Sequence, residues 1–396
     1  MDIIICGWTA FQYMRKPPVV RMLEAWLSSH PEVVLPGNKD WCTTGAHESL
    51  RPAPECPIDV LACSEKERLR GKGFRSHRLT GADASLLTRS VHPAPLAQYR
   101  QGRRIDRITT PAATLLTMAM DIGHEKLALA ASELLGSFSV FTPNPFCQAI
   151  LDGLVREGPV SRELAEVIRL VPRDIRSLAR YGAWRQAYKR DGSPTSLWRR
   201  PAILTPGELD RLSEQTHNLR GSTTLSRAAY IALTGTASPF EAQAGILLGL
   251  PKQSGGEGLG TPLCNHPVRL SSSVALFAGQ KTCYCDLFFS RGASRGKLAR
   301  EPRHLDVECH STTWHAHDDK AISDIRRING LEAMGVRTSL ITHDILVNDR
   351  RMASFAQEMR RRMGMEPIEL SPELERRRKR LRREVLVDWE TFGTFG

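Results

Sequence analysis

The spacing of apolar and polar residues changes along the chain and divides it into four regions. Residues 1–110 have short apolar runs interrupted by Pro and Gly, which predicts a small mixed α/β region with a short helix over Thr9–Lys16. Residues 111–235 carry apolar positions at helical spacing, which predicts a helical connector. Residues 236–364 combine helix and strand periods, and residues 365–396 form a strongly basic tail, predicted to be a short helix or a disordered arm.

Cap residues mark helices in the second region. Thr110 followed by Pro111 is a typical N-cap with proline at the first helical position. Ser161 marks the start of another helix, and the amphipathic pattern of Arg173–Lys189 predicts one continuous helix. Three prolines between residues 194 and 206 indicate a linker. The remaining helices predicted here are Ala112–Asp121, Glu125–Leu135, Pro206–Asn218 and Ser222–Leu233.

The third region opens with a capping box, in which Ser238 is followed by Glu241, and this predicts a helix through Leu250. A second helix begins near Asp318 and is ended by Gly335. The last helix carries Met352, Ala356, Met359 and Met363 on one face. The predicted strands are His266–Leu270, Cys283–Phe289, Leu305–Cys309 and Val336–Thr342. The resulting order is α-β-β-β-α-β-α.

Two of these strands place acidic residues on one face, because side chains two residues apart in a strand share a face. The third strand has a polar face that carries Asp306, Glu308 and His310. The second strand has an apolar face formed by Cys283, Cys285 and Leu287. Asp286 is left on the opposite face. If the strands are neighbours, Asp286 and Glu308 lie side by side, whereas Asp306, nearer the strand start, is interpreted as a solvated acid.

Two adjacent carboxylates repel each other, and a hard cation between them makes the arrangement favourable. Mg²⁺ (or Mn²⁺) held by Asp286 and Glu308 would activate a water molecule and stabilise charge on the leaving oxygen of a phosphodiester. His310 follows Glu308 by two residues and is placed to orient that water. The pattern therefore predicts a metal-dependent phosphodiesterase site.

The order Glu241, Asp286 and Glu308-Cys309-His310 resembles the PD-(D/E)XK superfamily. With His315 and the run from Asp324 to Arg327, it more closely resembles a family of bacterial proteins of unknown function that is related to very short patch repair endonucleases. The resemblance implies a restriction-endonuclease-like αβββαβ core, a metal-linked role for Glu241 and a role for His315 in positioning water or the leaving group.

Two further features bear on this resemblance. Thr110–Leu135 resembles a segment that precedes this domain in some relatives and in abortive-infection antitoxins. His310 stands where the family has a second acid and the superfamily a lysine. This departure leaves open a second hypothesis, in which the chain is an inactive nucleic-acid-binding, antitoxin-like regulator that keeps the fold. A third hypothesis is an interaction module of a defence or mobile-element system.

Simpler structural roles compete with several of these assignments. Glu241 also fits a purely structural capping role. Arg327 and Asp324 are three residues apart on a helix, where a surface ion pair is the usual arrangement. Arg326 and Arg327 are nevertheless the candidates for binding nucleic-acid phosphates.

The composition agrees with an intracellular partner of nucleic acid. Lys and Arg number 55 against 43 Asp and Glu, a net charge of +12, which favours a polyanion such as DNA but also suits a generally basic cytosolic protein. The nine cysteines contain no Cys-x-x-Cys pair, so free buried thiols in a reducing cytoplasm are expected rather than a zinc site. No apolar stretch reaches the length of a membrane span, and no leader is expected at Met1. DNA or RNA, and the oligomeric state, stay open.

Overall fold

The computed structural model describes residues 3–30, 32–33, 56–69, 71, 73–91, 97–99, 103–105, 107–156, 160–189, 191–291, 303–310 and 318–393. Within these residues the protein is a mixed α/β structure, as the sequence predicts. The described chain contains no helix that is both long enough and apolar enough to cross a lipid bilayer.

The first region is a sheet with helices packed on it. Its helices are α1 (Gly7–Arg15), α2 (Pro18–Ser29) and α3 (Ala84–Leu87). Its strands are β1 (Ile4–Ile5), β2 (Ile58–Ala62), β3 (Phe74–Arg78), β4 (Thr88–Ser90), β5 (Ala97–Tyr99), β6 (Arg103–Ile105) and β7 (Arg107–Thr109). One sheet has the order β3-β2-β1-β7-β4, and β5 pairs with β6. The predicted helix over Thr9–Lys16 is confirmed as α1, which ends because Lys16 precedes a proline and is extended.

The second region is less helical than predicted. Its helices are α4 (Pro111–Met118), α5 (His124–Leu135), α6 (Pro145–Val155), α7 (Arg162–Leu170), α8 (Arg173–Tyr181), α9 (Pro206–Gln215) and α10 (Ser222–Ile231). Its strands are β8 (Phe138–Val140), β9 (Arg185–Tyr188) and β10 (Pro194–Arg199), in the sheet order β8-β10-β9.

Local signals were right about helix starts in this region and wrong about one helix end. Thr110 and Ser161 are N-caps whose hydroxyl groups accept backbone N–H groups. The single helix predicted over Arg173–Lys189 is wrong, because Gly182 is extended and strand β9 follows. The predicted linker around Pro194 is also wrong, since β10 begins there and pairs with β8 and β9.

The third region contains the predicted elements with two short helices added. Its helices are α11 (Pro239–Gly249), α12 (Ser272–Ala278), α13 (Asp318–Ala333), α14 (His343–Val347) and α15 (Asp349–Arg362). Its strands are β11 (Leu263–Arg269), β12 (Thr282–Arg291), β13 (Arg303–His310) and β14 (Val336–Thr342). The sheet order is β11-β12-β13-β14, and only the β13–β14 pair is parallel. The additions to the predicted order are α12 and α14.

The predicted basic tail packs against the rest of the protein. Helix α16 (Pro372–Val385) buries Leu381 and Val385 completely, and Arg378 forms a buried ion pair with Glu257. The Gln243 side chain of α11 donates to the carbonyl oxygens of Val385 (3.0 Å) and Val387 (2.9 Å). The interpretation of residues 365–396 as a tail is therefore corrected. The apolar residues of α16 are spaced at helical intervals, and the helix turns them towards the rest of the protein.

The main core does not divide at the predicted region boundaries. A single cluster of buried side chains includes Phe11 of α1, Leu127 of α5, Leu305 of β13 and Leu381 of α16. Two smaller clusters are separate from it, one around α6 to α8 and one beneath α13.

Candidate metal and catalytic site

Glu241 is held in place at the start of α11. Its amide N–H donates to the Ser238 hydroxyl (3.2 Å), and its carboxylate accepts from that hydroxyl (2.9 Å) and from the Ala237 amide (2.7 Å). The side-chain amide of Asn265 on β11 donates to the same carboxylate at 3.1 Å. The capping role is therefore present. Burial raises the pKa of Glu241 despite these hydrogen bonds, and the charge of Glu308 adds to the increase.

The strands β11 and β12 change faces beside Asp286. Leu287 packs in the main core, whereas Cys283 and Cys285 pack in a small cluster with α13. The prediction that these three residues share one face is wrong. The reason lies at Asn265, which faces this point of β12 and has a φ of +50°, a left-handed conformation that interrupts the regular alternation.

Asp286 and Glu308 lie close together on neighbouring strands. Each is one residue beyond the last paired residues, Leu287 of β12 and Val307 of β13. At this point the Asp286 carboxylate, rather than a backbone carbonyl, accepts the Cys309 amide N–H at 2.9 Å. Burial, followed by the charges of Glu308 and Glu241, raises the pKa of Asp286 to about 8.

Asp306 is a further buried member of this acidic group. Its side chain is completely buried, so its interpretation as a solvated acid is wrong. Neither carboxylate oxygen has a hydrogen-bond partner among the described residues, and the same holds for the hydroxyl of Thr338, its register partner on β14. Burial, followed by the adjacent Glu308 carboxylate, raises the pKa of Asp306 to about 10.

A guanidinium group from α13 lies against the acids. Arg327 donates to both oxygens of Glu308, the second at 2.9 Å, and also to the carbonyl oxygen of Tyr284 at 3.3 Å. The expected ion pair with Asp324 is present, with 3.9 Å between Arg327 Nη2 and Asp324 Oδ1. The hydrogen bonds of Arg327, however, go to Glu308 and Tyr284 on the sheet. Arg326 next to it is exposed.

The predicted histidines are at the margin of the site or outside the described residues. His310 is exposed at the end of β13, two residues beyond Glu308 and paired in register with Thr342. His315 lies outside the described residues. Within the described ranges, no three side chains of His, Cys, Asp or Glu are grouped so that they would hold a metal ion.

Comparison of the chain with family models, with curated proteins and with solved structures found no match. The possible function of the site therefore follows from the chemistry of its own residues.

The acidic side chains are of the type that a hard divalent ion binds. Burial, followed by the effects of neighbouring acids and hydrogen bonds, raises the pKa values of Glu241, Asp286 and Asp306, and Arg327 is the cation that the described residues bring against Glu308. Mg²⁺ commonly binds through one or two carboxylates and keeps several waters, so Asp286 and Glu308 could hold it without a third protein ligand.

Three features of the site escaped the sequence interpretation. Asn265 carried one weak signal, because Asn is enriched in the left-handed conformation. The alternation of side chains that places Glu308 on the polar face of β13 also places Asp306 there. The position of Asp306 near the start of the strand led to its interpretation as a solvated acid. The contact between Arg327 and Glu308 had no local signal, since it depends on how α13 crosses the sheet.

Proposed function

We propose that this protein is a Mg²⁺- or Mn²⁺-dependent endonuclease that cleaves DNA phosphodiester bonds. The proposal includes a restriction-endonuclease-like core made of α11, the sheet β11–β14 and α13. The observation that carries it is the proximity of Asp286 and Glu308 on adjacent strands, in surroundings that disfavour two uncompensated negative charges.

The protein side chains have separate roles in this proposal. Asp286 and Glu308 would hold the metal ion, which supplies Lewis acidity and lowers the pKa of a bound water. Arg327 keeps Glu308 oriented through two hydrogen bonds. Glu241, fixed by Asn265 and by the first turn of α11, is placed to accept a hydrogen bond from water in the site. His310, exposed at the end of β13, would take a proton from the attacking water.

The substrate class follows from charge. A net charge of +12 favours a polyanion, and the exposed Arg326 is one residue from the cation of the site. Contacts of this kind bind the phosphate backbone without reading base sequence.

Cleavage of supercoiled plasmid tests the proposal. With Mg²⁺ or Mn²⁺ the wild-type protein should convert plasmid to nicked and linear forms, and EDTA should abolish this. Asp286→Asn should reduce the rate by at least about 100-fold, a loss of roughly 2.7 kcal/mol of transition-state stabilisation. Asp210→Asn changes an exposed acid on α9 and is the matched control. Equal rates for the two variants would reject Asp286 as a site residue, and a parallel reaction with single-stranded RNA decides between the nucleic acids.

A second candidate function is a DNA-binding regulator without turnover. It is favoured by the Arg327 guanidinium, which covers both oxygens of Glu308 and already provides a counter-charge. His310 in the position of the usual acid or lysine also favours it. This function predicts salt-dependent retention of DNA by the wild-type protein with no cleavage under any divalent ion.

A further inference from the structure

The residues around α6 to α8 form a unit with a core of its own. Its buried apolar side chains are separate from the main core and come from four helices and one strand. The main contributors are Val20 and Leu23 of α2, Ile150 of α6, Val167 of α7, Ile175 of α8 and Trp198 of β10. This unit lies outside the acidic site, and no function has been assigned to it above.

Two short helices in this unit are joined by a very tight turn. Helix α7 ends at Leu170 and α8 begins at Arg173, so only Val171 and Pro172 connect them. Val171 is completely buried, and Pro172 occupies the N-cap of α8. A buried residue followed by a proline fixes the direction of the second helix relative to the first. This is a helix-turn-helix arrangement.

Helix α8 has one buried face and one free face. Ile175 and Ala179 are buried in the small core. Arg173, Arg176 and Ser177 are exposed on the other side. The helix therefore presents cationic and hydrogen-bonding side chains that the rest of the described protein does not cover.

A β-hairpin follows α8 and is fixed in position. Strands β9 and β10 pair with each other, and β10 also pairs with β8, which precedes the helices. The Tyr188 hydroxyl donates to the Asp152 carboxylate (3.0 Å), and the Gln148 and Gln186 side chains exchange hydrogen bonds at 2.9 Å. Arg156 of the same region donates to the carbonyl oxygen of Gly192 in the hairpin turn (2.7 Å). The hairpin is thus a preformed projection beside α8.

The exposed charges of α8 and of the hairpin are positive on balance. Arg173, Arg176 and Arg180 are exposed on the helix beside one exposed acid, Asp174, and Arg185 and Lys189 are exposed on the hairpin beside Asp191 in its turn. Tyr181, between the two groups in sequence, is 79% exposed. A basic helix followed by a basic hairpin is an arrangement that can contact a groove and the phosphates beside it.

We propose that α6, α7, α8 and the β8–β10 sheet form a winged helix-turn-helix module that binds double-stranded DNA. Helix α8 enters the major groove, and the hairpin contacts the neighbouring phosphate backbone. The partner is duplex DNA rather than duplex RNA, because the major groove of B-DNA, about 12 Å wide, admits a helix, whereas that of A-form RNA is too narrow. The module shares no residue with the acidic site, so it binds DNA whether or not the chain cleaves it.

Fluorescence anisotropy with the full-length protein and a labelled duplex DNA, in EDTA so that no cleavage occurs, tests this module. The double variant Arg173→Glu/Arg176→Glu should bind at least 10-fold more weakly. Its salt dependence, log Kd against log[salt], should be shallower by about 2, as expected for two lost phosphate contacts. Lys379→Glu/Arg383→Glu on α16 makes the same change in net charge on another exposed helix face and should weaken binding less than 3-fold. Lys189→Glu in the hairpin should give a partial loss.

Several outcomes would overturn the assignment. They are unchanged binding by the α8 variant, equal weakening by the α8 and α16 variants, and equal affinity for a duplex RNA of the same sequence. All four changed residues of the two double variants are exposed, so their thermal unfolding midpoints should match the wild type. Binding is measured in EDTA and plasmid cleavage in Mg²⁺, so failure of this module and failure of the proposed nuclease activity give separate results.

Discussion

Two of the buried arginine–glutamate pairs, Arg15–Glu133 and Arg327–Glu308, differ in the charges that surround them. Arg15 and Glu133 in the main core are both essentially unexposed, with side chains 1% and 0% accessible. Arg327 and Glu308 at the edge of the C-terminal sheet are 22% and 9% accessible. Both pairs have two or more hydrogen bonds between the partners, so geometry alone does not distinguish them.

The surroundings of the two pairs do distinguish them. The Glu133 carboxylate also accepts from the Ser139 hydroxyl and the Val140 amide, both at 3.1 Å. Arg15 donates to the carbonyl oxygens of Trp389 (3.2 Å) and Phe392 (3.3 Å) and lies over aromatic rings. Both side chains are hydrogen-bonded, and the buried Arg200 is a second cation near Glu133, so the charge of this carboxylate is fully compensated.

At the other pair, Glu308 has two acidic neighbours, and Arg327 is its counter-charge among the described residues. Burial, followed by the neighbouring carboxylates, raises the pKa values of Asp286 and Asp306, which favours the protonated forms of both side chains. A compensated ion pair is what a structural role requires, whereas a group of buried acids with raised pKa values indicates a candidate functional site. The grouping of carboxyl groups, rather than burial alone, sets the second pair apart.

The largest expected effect comes from breaking the Arg15–Glu133 pair. Glu133→Leu leaves Arg15 charged and unpaired in the core, and should lower the free energy of unfolding by about 3–5 kcal/mol. The measurement is urea unfolding followed by circular dichroism. Adding Arg15→Met to the same chain should recover part of the loss, because the orphaned charge is removed. A cost below about 1 kcal/mol for the single variant would contradict the structural role.

Breaking the Arg327–Glu308 pair should cost less, and its cost should depend on pH. Arg327→Met should lower the free energy of unfolding by about 2 kcal/mol at pH 8, because the acids lose the cation that lies against Glu308. Without the guanidinium group, the pKa values of Asp286 and Asp306 in the folded state rise further. An acid with a raised pKa in the folded state destabilises that state more as the pH increases. At pH 5 the cost should therefore fall by more than half. The adjacent exposed Arg326→Met is the control, and a cost independent of pH would argue against the coupling.

The smallest effect is expected for Asp306→Asn, which removes one buried acid without changing its shape. In the wild type, the folded state keeps the Asp306 proton up to a pKa of about 10, while the unfolded chain releases it at an ordinary acidic pH. The stability that this group contributes is fully present below its pKa in the unfolded state. It is lost as the pH rises towards its pKa in the folded state, with a slope of at most about 1.4 kcal/mol per pH unit. The variant should have a flatter dependence between pH 6 and 8. Equal slopes in the two proteins would count against a buried, protonated Asp306.

Local sequence signals predicted elements better than they predicted burial. Thr110, Ser161 and Ser238 are N-caps in the structure, and Gly335 ends α13 with a φ of +78°. These features depend only on neighbours within one or two turns of chain, so they are visible in a single sequence.

Burial of charged residues depends on distant partners and was missed. The arginines of α16 read as a solvated run, yet Arg378 meets Glu257, which is 121 residues earlier in the chain. Arg327 meets Glu308 across the edge of a sheet. The proximity of Asp286 and Glu308 was predicted from the period of two along their strands, although β12 changes faces beside Asp286. The exception, Asn265, is where that period fails.

The aromatic residues near the end of the chain have a consequence for biosynthesis. Trp8 and Phe11 of the first helix pack edge-on against Phe392, and Arg15 bonds to a carbonyl oxygen 374 residues later. At translation rates of 5–20 residues per second, those partners reach the ribosome exit roughly 20 to 75 s after the first helix does. During that interval Trp8 and Phe11 lack the aromatic partner against which they pack in the folded protein.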